Sequence, residues 1–93
     1  MENGKYTVLV VDDESTNRLL MKSVLKKRYN VIAFGSGEEC VEYLGKNAVD
    51  LIIMDVCMPE MDGYETCKII KKEIRLRDTP VIFLSAYCAL ENK

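Results

Sequence analysis

A chain of 93 residues makes one domain at most, and at this size only about 60–65% of the unfolded surface is buried on folding, so every element has to pack. Hydrophobic residues at 48% and charged residues at 30% place it with soluble globular domains and exclude the disordered class. A formal charge of −2 argues against a nucleic-acid-binding surface, and the absence of histidine excludes Ser-His-Asp and Cys-His catalysis, His-based zinc sites and a His-borne phosphate on this chain.

The elements can be taken in chain order. The N-terminus, Met1-Glu2-Asn3-Gly4-Lys5, is too polar for a signal-peptide core. Thr7-Val8-Leu9-Val10-Val11 is a continuous β-branched run that stops at Asp12-Asp13, the pattern of a strand buried on both faces. Ser15 to Lys27 has helical spacing, with Leu19, Leu20, Val24 and Leu25 apolar and lysines gathered near the C-terminal end, where the helix dipole favours them. Asn30 to Phe34 is a second strand. Gly35-Ser36-Gly37 is a turn, with Ser36 as N-cap and Glu39 at capping-box spacing. The helix Glu38 to Lys46 then buries Cys40, Val41 and Leu44.

Leu51-Ile52-Ile53-Met54 is the third strand and also ends in an acid, Asp55. Val56 to Asp62 is a loop marked by Pro59 and Gly63. Tyr64 to Ile74 is a third helix with Cys67, Ile70 and Ile74 on one stripe. Arg77-Asp78-Thr79-Pro80 is a turn, Val81-Ile82-Phe83-Leu84 is a fourth apolar strand ending at Ser85, and Ala86 to Lys93 begins a fourth helix. Strands without alternation, joined by helices, predict a doubly wound α/β fold with a parallel sheet covered on both faces. No stretch reaches the roughly 20 apolar residues that cross a bilayer, so a cytoplasmic domain with no membrane partner is expected. The four cysteines, Cys40, Cys57, Cys67 and Cys88, form no C-x-x-C pair and read as buried free thiols.

In an open parallel sheet, ligands bind outside the carboxyl ends of the strands. With strand order 2-1-3-4, the first and third strands are neighbours, and Asp12, Asp13 and Asp55 converge in one crevice with Ser85 beside them. Three carboxylates so close need a proton or a cation among them. A set of oxygen donors without His or Cys suits Mg²⁺ or Mn²⁺, a cation usually completed by substrate phosphate. The plainer alternative has Asp12-Asp13 capping the first helix and Asp55 capping a loop.

Val10-Val11-Asp12-Asp13-Glu14, the D-x-x-M-P-x-M-D-G run from Asp55 to Gly63, and Phe83-Leu84-Ser85-Ala86 together resemble the receiver domain of bacterial two-component response regulators. The resemblance covers residues 1–93 and implies the flavodoxin-like receiver fold. It implies that Asp55 accepts a phosphoryl group from a sensor histidine kinase. Asp13 would then ligate Mg²⁺ directly, Asp12 mainly through water and Cys57 through its backbone carbonyl. Ser85 would be the hydroxyl switch that turns to the phosphoryl group, and Ala86 the small residue that leaves that group accessible. An effector domain or protein is the implied downstream partner, and the expected chemistry is self-phosphotransfer and autodephosphorylation without turnover of a separate substrate. Met58 and Met61 read as loop packing.

The family pattern continues past Lys93 with a fifth strand carrying a lysine and an aromatic residue, then a last helix. The sequence is therefore expected to be a receiver incomplete at its C-terminus, with Val81–Leu84 as an apolar edge strand covered in a homo-oligomer or swapped dimer. The competing readings are a fragment of a longer protein, a pseudo-receiver that only binds partners, and a haloacid-dehalogenase-type phosphatase. The last is opposed by the adjacent acids Asp12-Asp13, where that class needs D-x-D.

Overall fold

The structure is a computed structural model and describes residues 2–84. Four strands alternate with three helices: β1 (Thr7–Val11), α1 (Ser15–Leu25), β2 (Asn30–Phe34), α2 (Gly37–Leu44), β3 (Leu51–Asp55), α3 (Gly63–Lys71) and β4 (Val81–Leu84). The sheet is parallel with order β2-β1-β3-β4, the doubly wound arrangement expected from the unalternated apolar runs. Register pairs Val11 with both Phe34 and Met54, and Asp55 with Leu84, so the carboxyl ends of all four strands lie at one edge of the sheet. Among the described residues no helix is long and apolar enough to cross a membrane.

Two cores form, one on each face of the sheet. Leu9, Val11, Ile52 and Met54 point to the side covered by α2 and α3, where they meet Cys40, Leu44, Met58, Ile70 and Leu76. Val8, Val10 and Ile53 point the other way, toward Met21 and Leu25 of α1. Residues of alternate parity on each central strand are thus both buried, the reason those strands read as unbroken apolar runs. Met58 joins the core, and Met61 Sδ would lie 3.1 Å from a Cβ on Gly37, so both methionines pack as expected.

The helix boundaries differ in instructive ways. The third helix stops at Lys71, and extended backbone at Glu73 starts a separate 3-10 turn over Ile74–Leu76. This break turns Leu76 into the core at 2% exposure and leaves Ile74 outside at 78%, the reverse of the expected stripe. The first helix also presents a different face from its most apolar one. Leu19, Leu20 and Val24 are exposed, while Met21 and Leu25 meet the sheet. These two lie three and seven positions after Arg18, so one stripe carries Arg18 at the top of the sheet and the apolar contacts below it. The expected cap at Ser36 is present: its Oγ accepts from the Glu39 N–H at 3.2 Å, and Glu39 Oε1 accepts in turn from the Gly35 N–H at 3.1 Å. A second cap starts α3, where the Glu65 N–H donates to Asp62 Oδ1 at 2.9 Å and the Asp62 N–H donates to Glu65 Oε1 at 3.0 Å.

Cys40 and Cys67 are free. Burial pushes the Cys40 thiol up to about 12, so it is an inert packing group. Cys57 is disulfide-bonded, which corrects the free-thiol expectation at that position. On β4, Ile82, Phe83 and Leu84 are exposed, and the Phe83 ring rests on Tyr64 with centroids 4.9 Å apart.

Candidate functional site

The site is built at the carboxyl ends of β1 and β3, adjacent strands whose connections leave on opposite faces of the sheet. The turn out of β1 carries Asp12 and Asp13, and Asp55 is the last residue of β3. One carboxylate oxygen from each of Asp12, Asp13 and Asp55 lies within 4.8 Å of the others. The acids differ in setting: Asp12 is nearly buried, Asp55 half-buried and Asp13 exposed. Among the described residues, no lysine or arginine forms an ion pair with any of them.

Asp12 is the most constrained. Its Oδ1 accepts from the Glu14 N–H at 2.9 Å, and its Oδ2 accepts from Asn17 Nδ2 at 3.3 Å. Asp55 Oδ1 accepts from the Cys57 N–H at 3.2 Å, which fixes the carboxylate against the first turn of the following loop. That loop is closed by the Gly63 N–H donating to the Val56 carbonyl at 3.0 Å. A Cβ on Gly63 would lie 2.4 Å from the Asp55 carbonyl oxygen and 3.0 Å from the Val56 Cα, so only glycine lets α3 start this close to the end of β3.

Burial is the main cause that raises the Asp55 carboxyl from 3.8 to about 6. The Asp12 and Asp13 charges and a hydrogen bond with Asp13 add to it, against the lowering effect of the Cys57 N–H. Between pH 3.8 and 6 the folded chain binds this proton more readily than the unfolded chain, so stability falls as pH rises, and the penalty is complete above about pH 6. Asp55→Asn removes the penalty. Without divalent cation, its Tm at pH 7.5 should exceed that of the unmodified protein by a few degrees, from about 1 kcal/mol after allowance for solvent screening of a half-exposed group. In calorimetry the gain should shrink on acidification to pH 4.5; an equal gain at both pH values would show that the ionised Asp55 carboxylate is not its source.

The donor set fits a cation. All three ligands are hard oxygens, and Asp55 is already driven toward its protonated form by burial and, to a lesser extent, by the charges of the other two, a condition that a divalent ion relieves. The geometry therefore unites Asp12, Asp13 and Asp55 as the sequence predicts. Ser85 and Ala86 lie outside the described residues. Sequence reasoning missed Asn17, which touches the Asp12 carboxylate, and Arg18, whose Nη1 donates to the Asp12 carbonyl at 2.8 Å. The signal for Arg18 was present: it is a charged residue on the same helical stripe as Met21 and Leu25.

Comparison with known proteins gives the domain's family. The family model for the response regulator receiver domain matches residues 8–93. A protein of Formosa agariphila named "Histidine kinase P4" is 37% identical over 92 residues, 99% of this chain and 7% of that protein. "Two-component response regulator ORR5" of Oryza sativa subsp. japonica is 41% identical over 85 residues, 89% of this chain and 63% of that protein. The chain thus spans less than two thirds of either relative. Among solved structures, the chemotaxis response regulator CheY4 of Vibrio cholerae superposes with a TM-score of 0.86 at 31% identity, covering 96% of this chain and 75% of that one. The receiver domain of the sensor histidine kinase PA1611 of Pseudomonas aeruginosa, solved with a magnesium ion coordinated in its active-site cleft, superposes with a TM-score of 0.84 at 27% identity, covering 89% and 69%. With its strand order, its paired acids after β1 and its acid after β3, the chain belongs to the response regulator receiver domain family, a signalling domain of two-component systems.

Proposed function

We propose that the chain receives a phosphoryl group on Asp55 from a sensor histidine kinase. The observation that carries this is the meeting of three carboxylates within 4.8 Å at the ends of adjacent strands, with Asp55, whose charge is penalised by burial, at the end of β3. In the transfer, an Asp55 oxygen forms a bond to the phosphorus of a phosphohistidine. The N–P bond breaks, and the imidazole nitrogen leaves with the electron pair. The Cys57 N–H fixes the orientation of the Asp55 carboxylate by holding Oδ1.

A carboxylate and a phosphoryl group repel each other, so such a transfer depends on positioning and charge neutralisation. A Mg²⁺ or Mn²⁺ ion held by Asp13, Asp55, the Cys57 carbonyl and, through water, Asp12 would supply that neutralisation. The water-mediated role suits Asp12, since both its carboxylate oxygens already accept hydrogen bonds within the protein. A magnesium ion in the cleft of the PA1611 receiver domain supports the choice of metal. Ser85 follows the end of β4, and Asp55 is paired with Leu84, so its position in sequence suits a hydroxyl switch for the phosphoryl group. The acyl phosphate would then hydrolyse on the same domain, with an effector domain or protein reading the change.

Incubation with Mg²⁺ and acetyl phosphate tests the reading by intact mass. A gain of about 80 Da, the mass of one phosphoryl group, is expected for the unmodified protein and not for Asp55→Asn. A folded protein that gains no mass would make the chain a pseudo-receiver, and an adduct that persists in Asp55→Asn would place the acceptor elsewhere.

A further inference from the structure

Asp12 is held at four atoms. Its N–H donates to the Phe34 carbonyl at 3.1 Å, and its carbonyl accepts from Arg18 Nη1 at 2.8 Å. Its Oδ1 accepts from the Glu14 N–H and its Oδ2 from Asn17 Nδ2. Two of these contacts are main chain to one side or the other and would survive most substitutions. The other two come from consecutive side chains on the first turns of α1. Neither side chain serves the core: Asn17 is exposed, and Arg18 is half-buried above the sheet. Arg18 Nη1 would lie 3.0 Å from a Cβ on Gly35, so the β2–α2 turn leaves just the space its guanidinium occupies.

Resting on the reading of this cluster as a cation site, we infer that Asn17 and Arg18 are positioning residues that set its preference for Mg²⁺ over Ca²⁺. A carboxylate anchored through both oxygens and through its own main chain keeps its remaining lone pairs in fixed directions. Mg²⁺ demands near-ideal octahedral geometry and keeps several of its waters, one of which Asp12 would hold in place, while Ca²⁺ accepts longer and more variable contacts. Loosening Asp12 therefore costs the smaller ion more. Arg18 fixes the main chain of Asp12, Asn17 fixes its carboxylate, and the stripe continuing to Met21 and Leu25 ties both to the packing of α1.

Titration calorimetry with Mg²⁺ and with Ca²⁺ tests this on the full chain. Asn17→Leu, a surface change of similar size, should weaken Mg²⁺ binding roughly ten-fold, the scale of outer contacts to metal ligands, and Ca²⁺ binding by less than about three-fold. Asn17→Gln, which keeps the amide donor, should recover most of the Mg²⁺ affinity. Arg18→Met should shift the ratio in the same direction, with thermal melts confirming that it folds. Equal weakening of both ions, or none, in Asn17→Leu overturns the inference while leaving the cation site intact. An unmodified protein that binds neither ion overturns the cation site itself, and this inference with it.

Discussion

Gly63→Ala is expected to lower the stability of the domain by about 2–3 kcal/mol, the upper range for overpacking at a site that cannot yield. For a chain of this size that corresponds to a fall in Tm of roughly 10–20 °C. Alanine normally favours a helix start over glycine, so the sign rests on geometry. The added Cβ would meet the Asp55 carbonyl oxygen at 2.4 Å, with Met54 Cγ and Val56 Cα each at 3.0 Å. Two of the three are main-chain atoms at the end of a central strand, which cannot swing aside as a long side chain can. The strand end and the loop would have to part, and the Gly63 N–H bond to Val56 would go with them. Because Asp55 is the residue displaced, phosphoryl uptake should fall in the folded fraction as well. A circular-dichroism melt within about 4 °C of the unmodified protein would show that the loop accommodates a side chain.

Asp13→Asn should weaken Mg²⁺ binding by about a hundred-fold, the larger end of effects at metal-site residues, while raising stability in metal-free buffer. Asp13 is the exposed acid of the three, and its charge and hydrogen bond both push the Asp55 proton affinity upward. Removing the charge relieves Asp55, and removing the oxygen donor deprives a cation of its most available ligand. Asp12→Asn should cost less binding, since the Asp12 oxygens are already engaged by Glu14 and Asn17. Calorimetric titration with Mg²⁺ and melts without it read the two effects separately. If Asp13→Asn lost both metal binding and stability, the acidic cluster would be a structural feature and not a site maintained at the expense of folding.

Much of this was legible in the residues because the physics that shapes each element is local. An unalternated run such as Thr7–Val11 admits few readings other than a strand buried on both faces, and all four strands have the expected bounds within a residue. The acids stand out because a charge directly after such a run must lie at its end. The third helix was read too long because Ile74 keeps apolar spacing with Ile70. Nothing in the spacing announces that extended backbone at Glu73 will give the buried place to Leu76. In α1, Leu19, Leu20 and Val24 outweigh Met21 in apolarity yet are exposed, while Met21 and Leu25 meet the sheet on the stripe that also carries Arg18 to Asp12. Such contacts across the fold, like the approach of Gly63 to Asp55, become visible only when the strand ends are brought together.

If Asp55 carries the phosphoryl group, chemical trapping locates it there. Reduction of an acyl phosphate with borohydride converts the modified aspartate to homoserine, which peptide mass spectrometry places in the sequence. After incubation with Mg²⁺ and acetyl phosphate, homoserine is expected at position 55 and at neither 12 nor 13. Homoserine at position 12 or 13, or none in a protein that has gained the phosphoryl mass, would contradict the assignment.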